Sequence, residues 1–136
     1  MNHPKPLPLK IKRGVKLAIE IAKLNSFSRF RFGCVALDKR GYVLSVGMNN
    51  EKTHPYQAKL STKQGNPHAI YLHSEIATIL KAREKVHTLI VVRLLRNGTP
   101  GYSKPCHICE EAIRLAKIKQ TVYFDKNGEV VCHEYS

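Results

Sequence analysis

The sequence predicts an α/β fold, a three-layer αβα sandwich around a mixed five-stranded sheet. Helical and strand-like periodicities follow one another in the order helix, strand, strand, helix, strand, helix, strand, strand. The segment TLIVVRLL is nearly continuous in apolar residues, as a central strand covered on both faces requires. With 136 residues, 43% of them apolar, the chain can bury one core but has no room for a second domain.

The elements follow in order. Pro4, Pro6 and Pro8 mark residues 1–12 as an extended arm ahead of a folded domain over residues 13–136. From Arg13 to Asn25, Val15, Leu17, Ala18, Ile21, Ala22 and Leu24 recur at helical spacing. FGCVALD (32–38) and YVLSVG (42–47) read as strands joined through Lys39, Arg40 and Gly41. Residues 48–71, with Pro55, Gly65, Asn66 and Pro67, read as a long loop, and loops of that length in compact domains are usually functional. A helix is expected from Leu72 to about Glu84, then the TLIVVRLL strand and the loop RNGTPGYSKP. A third helix follows Pro105, with Ile108, Ala112, Ile113, Leu115 and Ala116 on its apolar side. QTVYFD and GEVVCHEY are the last strands, and the tight Asn127-Gly128 turn between them makes an antiparallel pair.

No apolar run approaches the roughly 20 residues that span a bilayer, and the proline- and lysine-rich start is no signal peptide, so a soluble cytoplasmic protein is expected. Twenty-three Lys and Arg against ten Asp and Glu give a net charge of +13, which favours phosphate-bearing partners. The same charge, spread without a block, also serves solubility. Of the four cysteines, Cys34 sits in a buried strand pattern, and only Cys106 and Cys109 form a close pair. Without a secretion signal that pair is metal-binding or redox-active rather than a structural bridge.

His73-Ser74-Glu75 opens the second helix and Pro105-Cys106-His107-Ile108-Cys109 the third. Cysteines three apart share one helix face, and the positive end of the helix macrodipole there favours thiolates. Two thiolates and one imidazole leave the fourth tetrahedral position of a zinc ion open, the mark of a catalytic site, with one ion per chain. His73 and Glu75, two apart, would diverge by about 200° inside a helix, so both can serve one site only at the helix entrance. Zinc brings the pKa of water toward neutrality, and a carboxylate beside it can take and deliver protons, the role expected of Glu75.

Together these residues form H-x-E…P-C-x-x-C, the signature of zinc deaminases. From about Arg13 to Tyr135 the chain resembles the cytidine deaminase superfamily, whose fold is a five-stranded sheet sandwiched by helices. The run SFSRFRFGCVALDKRGYVLSVGMNNE is similar to the free-nucleoside pattern. That resemblance implies that Phe30 packs near the base and that Asn49 and Glu51 hydrogen-bond the sugar. It also implies a homo-oligomer. The insertion between Glu51 and His73 and the run PCHICEEAI look closer to the deoxycytidylate and tRNA adenosine branches. His54 and His68 in the insertion are candidates for a second metal, as in some deoxycytidylate deaminases. His107 is expected on the surface, and Cys132 and His133 as plain strand residues.

Three functions are compatible with this reading. The first is an enzyme converting cytidine, deoxycytidine or dCMP to the uracil form with release of ammonia. The second is a deaminase of cytosine or adenine in RNA or single-stranded DNA, which the charge and the cluster Arg29-Phe30-Arg31-Phe32 would suit. A zinc-stabilised binding module is the third, and Glu75 argues against it, because a purely structural zinc has no use for a proton shuttle.

Overall fold

The computed structural model describes residues 6–25, 31–50, 54–65 and 72–135. Helix α1 (Leu9–Leu24) starts four residues before the expected Arg13, inside the stretch read as an extended arm. Pro8 is its N-cap, where a missing N–H costs nothing, and its carbonyl accepts from the N–H groups of Ile11 and Lys12. Burial of Ile11 in the core secures this first turn.

Strands β1 (Arg31–Leu37) and β2 (Val43–Gly47) form the expected hairpin. Asp38 accepts from the N–H groups of Arg40 and Tyr42, and Gly41 takes the left-handed φ of 95° that the turn requires. After helices α2 (Pro55–Lys63) and α3 (Ser74–Lys81), β3 (Thr88–Leu94) runs through the middle of the sheet. The two-residue β4 (Pro100–Gly101) pairs with β3, and α4 (His107–Leu115) leads to β5 (Gln120–Phe124) and β6 (Val130–Glu134).

The sheet order is β2-β1-β3-β5-β6, with β4 attached to β3. Only β3 and β5 are parallel, and the last two strands are antiparallel as the Asn127-Gly128 turn implied. The sheet is therefore mixed but holds six strands rather than five, because the Gly-Pro loop after β3 turns back for one short pairing.

Alternation along the strands explains the layers. Val35, Leu37, Ile90, Val92 and Leu94 face α1, packing on Ile11, Val15, Ala18 and Ala22. Cys34, Ala36, Leu89 and Val91 face the opposite way, toward Ile113 of α4 and Ile79 of α3. Both faces of β3 are thus covered, which is why TLIVVRLL is apolar throughout. Gly33 lies so close under α1 that a Cβ there would collide with the backbone of Ala18 and Ala22.

The long loop expected over 48–71 is corrected in part: α2 lies within it. Pro55 stands in the first helical turn, and Nδ1 of the N-cap His54 accepts from the N–H of Tyr56 at 3.0 Å. Leu60 and Tyr56 join Ile76 of α3 and Ile108, Cys109 and Ala112 of α4 in a third apolar cluster. Among the described residues no helix is long and apolar enough to cross a membrane.

Candidate metal centre and active site

Helices α3 and α4 bring their N-terminal ends together, and each presents a metal donor from its cap position. His73 is the N-cap of α3, with extended backbone (φ −76°, ψ 153°), and its carbonyl accepts the first helical bond from Ala77. Cys106 is the N-cap of α4 (φ −72°, ψ 172°), and its carbonyl accepts from Glu110. Both helices are shorter at the front than the sequence suggested, since α3 begins at Ser74 and not at Leu72. That difference resolves the spacing of His73 and Glu75. With His73 extended and Glu75 in the first turn, the helical divergence of two positions does not apply.

Nδ1 of His73 lies 3.3 Å from Sγ of Cys109 and 3.6 Å from Sγ of Cys106. All three donor atoms fall within 4.8 Å of one another, and among the described residues this is the one such group. Tetrahedral zinc, with bonds of about 2.3 Å to sulfur and about 2.0–2.1 Å to nitrogen, sets those ligand atoms about 3.5 Å apart. The group therefore fits zinc.

Electrostatics favour the same conclusion. The hydrogen bond from the Cys109 thiol, helped by His73 and the Cys109 N–H, pulls the Cys106 thiol down to about 4. Cys109 shifts the other way, raised well above the ordinary thiol value by that same hydrogen bond, by burial and by the charge of Glu75. His73 is raised by its hydrogen bond to Cys106. Without metal the cluster holds the Cys106 thiolate beside the protonated Cys109 thiol, so a cation that displaces that proton is well received.

Glu75 is 5% exposed, and its Oε1 accepts from the Ser74 hydroxyl at 2.6 Å. Its carboxylate is close enough to raise both Cys109 and His73. Thr78, one turn further along α3, donates to the Ser74 carbonyl and packs against β2 at Gly47, where a Cβ would collide with its hydroxyl. The backbone N–H of Asn50 donates to the Leu72 carbonyl, which lays the chain leaving β2 beside the entry to α3. Asn49 is thereby brought to the same end of the fold. Its Oδ1 accepts from Nδ2 of Asn25 at 2.6 Å and from the N–H of Phe32 at 3.1 Å. Phe30, Glu51 and His68 lie outside the described residues.

Sequence reasoning missed the supports. Gln57 of α2 is fully buried, and its Oε1 accepts the backbone N–H of His73 at 3.2 Å. The one available signal was Pro55 directly after His54, a helix start inside the presumed loop. His54 caps that helix, His107 is exposed on α4, and Cys132 and His133 are exposed on β6.

The sequence model of the cytidine and deoxycytidylate deaminase zinc-binding region matches residues 9–125. The chain belongs to this family. It is a zinc-binding deaminase domain, and His73, Cys106 and Cys109 form the group able to hold the metal. Solved structures support the fold of this deaminase. It is similar to the dCMP deaminase of cyanophage S-TIM5 in its apo form, with 18% identity, 88% of this chain and 86% of that chain covered, and a TM-score of 0.60. The complex of that phage enzyme with dCMP and dUMP gives 20% identity, 91% and 85% coverage and 0.60. A structure from studies of A-to-I editing by tRNA:A34 deaminases at the wobble position of transfer RNA gives 22% identity, 86% and 78% coverage and 0.56. No curated protein sequence matches the chain.

Proposed function

We propose that the chain is a hydrolytic deaminase of a cytosine-type nucleoside or 5′-mononucleotide, converting cytidine, deoxycytidine or dCMP to the uracil form. Its zinc is held by His73, Cys106 and Cys109, and Glu75 moves the protons. The reading is carried by one observation: a buried carboxylate in the first turn of α3, beside three metal donors at zinc spacing.

Zinc in a three-ligand site acidifies water and so makes hydroxide available at neutral pH. Glu75 takes one proton of the water and passes it to the ring nitrogen as oxygen adds at C4, and it then takes the proton of the new C4 hydroxyl and delivers it to the departing amine. The C4–N bond breaks, a C4 carbonyl replaces the amine, and ammonia leaves. Ser74 holds one oxygen of Glu75, which orients the other for this transfer. The short helices place their positive ends at the site and favour the anionic carboxylate and thiolate.

Asn49 supports the choice of substrate. Two donors fix its Oδ1 and so hold the orientation of the side-chain amide, the group assigned in this reading to a sugar hydroxyl. Glu51 is assigned to the sugar as well and Phe30 to the base. A carboxylate there accepts from a free 3′-hydroxyl and repels a 3′-phosphate, so a continuing strand is disfavoured. The net charge of +13 favours a second reading, a deaminase acting on a nucleic acid. Comparing kcat/KM for cytidine, deoxycytidine, dCMP, free cytosine and a short single strand with one cytosine tests the choice. Faster turnover of the free nucleoside or mononucleotide supports the first reading, whereas preference for the strand supports the second.

A further inference from the structure

The end of the sheet remote from the metal group carries a concentration of cations that the deaminase chemistry does not use. A cavity of about 520 Å³ there is lined by Lys39 and Arg40 of the β1–β2 turn, Lys85 and His87 ahead of β3, and Lys119 ahead of β5. Asp38 and Glu84 are its two acidic groups. The carboxylate of Asp38 is engaged by the N–H groups of Arg40 and Tyr42. A second cavity of about 180 Å³ adjoins the first at Lys119 and is lined by Lys117, Ile118, Arg114 and Tyr135. Arg114 is paired with Glu111. Among the described residues, Lys39, Arg40, Lys85, Lys117 and Lys119 have no carboxylate within ion-pair distance.

Their order in space follows the sheet. β1, β3 and β5 are successive neighbours, so the turns that carry Lys39 and Arg40, Lys85, and Lys119 step across the sheet end in a line. Two strand spacings make about 10 Å, before the reach of the side chains is added. Such a row is too long for one phosphate and suits several in succession. Lys117 adds to it from a left-handed backbone position, φ 56°, where glycine is the usual residue. Tyr42, 67% exposed in the same turn as Arg40, offers a ring on which a base can stack. His87 is held below its usual value by burial and then by the charges of the neighbouring Lys10 and of Lys39 and Lys119 in the row, against the opposing charge of Glu134.

We propose that this row is a docking track for the phosphate backbone of single-stranded nucleic acid. β1 alone is seven residues long, so the track lies about 20 Å from the metal group, and the nucleotides seated on it do not reach the metal donors. The proposal therefore does not depend on which substrate is deaminated, nor on the metal site being active.

The test uses the full zinc-loaded chain and a fluorescent 20-nucleotide oligouridylate, which offers neither cytosine nor adenine. Neutralising about four phosphates gives a log–log salt slope near −2.8, so affinity falls roughly 50-fold between 50 and 200 mM salt. Lys39→Glu with Arg40→Glu and Lys119→Glu weakens binding at least about tenfold more than the equal charge change Lys59→Glu with Arg96→Glu and Lys126→Glu. Of the control sites, Arg96 and Lys126 lie at the opposite end of the sheet. Zinc content and deaminase rate stay at the wild-type level in the track variant. The milder pair Lys39→Gln with Lys119→Gln shows the same ordering if the triple variant folds poorly. Equal loss in track and control variants would mean diffuse charge and would overturn the proposal. Binding of inorganic tripolyphosphate as tight as that of the oligonucleotide, with a shallow salt slope, would overturn it too, because the track would then be a small-anion pocket.

Discussion

The side-chain carbonyl of Gln57 accepts the backbone N–H of His73 at 3.2 Å, so a helix inside the insertion fixes the residue that opens the metal group. Gln57 is fully buried and is joined in its helix by Leu60, which packs on both α3 and α4. Groups that orient metal ligands are commonly worth 10–100-fold in metal affinity. Gln57→Leu, similar in size and lacking the acceptor, is expected to weaken zinc binding by about that factor in a chelator competition. Unchanged affinity would show that α2 only covers the site.

Removing a donor is the stronger perturbation. Cys109→Ser replaces a buried thiol, and Cys106→Ser the thiol that the site pulls down to about 4. Each variant should lose zinc on dialysis and melt at a lower temperature than the wild type, because binding of the metal is linked to folding. Zinc content by atomic absorption, paired with a thermal melt, reads both effects. Full retention of zinc in both variants contradicts the ligand assignment.

Protonation gives an independent check whose sign is fixed by the directions of the shifts. Cys109 and His73 are raised in the metal-free site, so at neutral pH the metal must displace a proton from Cys109 and, at the lower end, from His73. The metal-free form thus binds more protons than the loaded form, and apparent zinc affinity rises with pH throughout the neutral range and falls on acidification. Calorimetry in buffers of different ionisation enthalpy should report release of about one proton per zinc at pH 8, mainly from Cys109. A pH-independent affinity would mean that Cys109 is not a ligand.

Asn25 offers a test of the substrate side. It is 6% exposed and donates to Oδ1 of Asn49 and to the carbonyl of Phe32, linking the end of α1 to the residue assigned to the sugar. Asn25→Ala leaves the half-buried Asn49 Oδ1 and Phe32 carbonyl short of one donor, at a cost of about 1 kcal/mol in stability. It should also raise KM for deoxycytidine more than it lowers kcat, since Asn49 loses its orientation while Glu75 does not. An unchanged KM would remove Asn49 from the substrate site.

Much of this was legible in the sequence because its signals were local. The apolar runs of β1 and β3 and the turn at Asn127-Gly128 read correctly, since alternation and turn chemistry depend on neighbouring residues. His73, Cys106 and Cys109 were legible because their residue types and spacing carry the chemistry directly. Two other features depend on tertiary context. The start of α1 at Leu9 comes from burial of Ile11, which outweighs the prolines before it. Helix α2 has a weak local pattern and is held by packing of Leu60 and Tyr56 on α3 and α4. The role of Gln57 could not be read before that helix was placed. β4 is two residues long and has no periodicity to detect.

The most direct test of the central claim concerns Glu75. Its carboxylate stands beside the metal donors without belonging to the group at ligand distance, so removing it should leave the metal in place. Zinc content, the melting temperature and the deamination rate of Glu75→Ala are to be measured side by side on the best substrate of the panel. The account predicts one zinc per chain, a fold that melts cooperatively, and a rate lower by about 10²–10⁴-fold, the usual contribution of a positioned acid–base group. A zinc-loaded, folded Glu75→Ala variant that deaminates at the wild-type rate would contradict it.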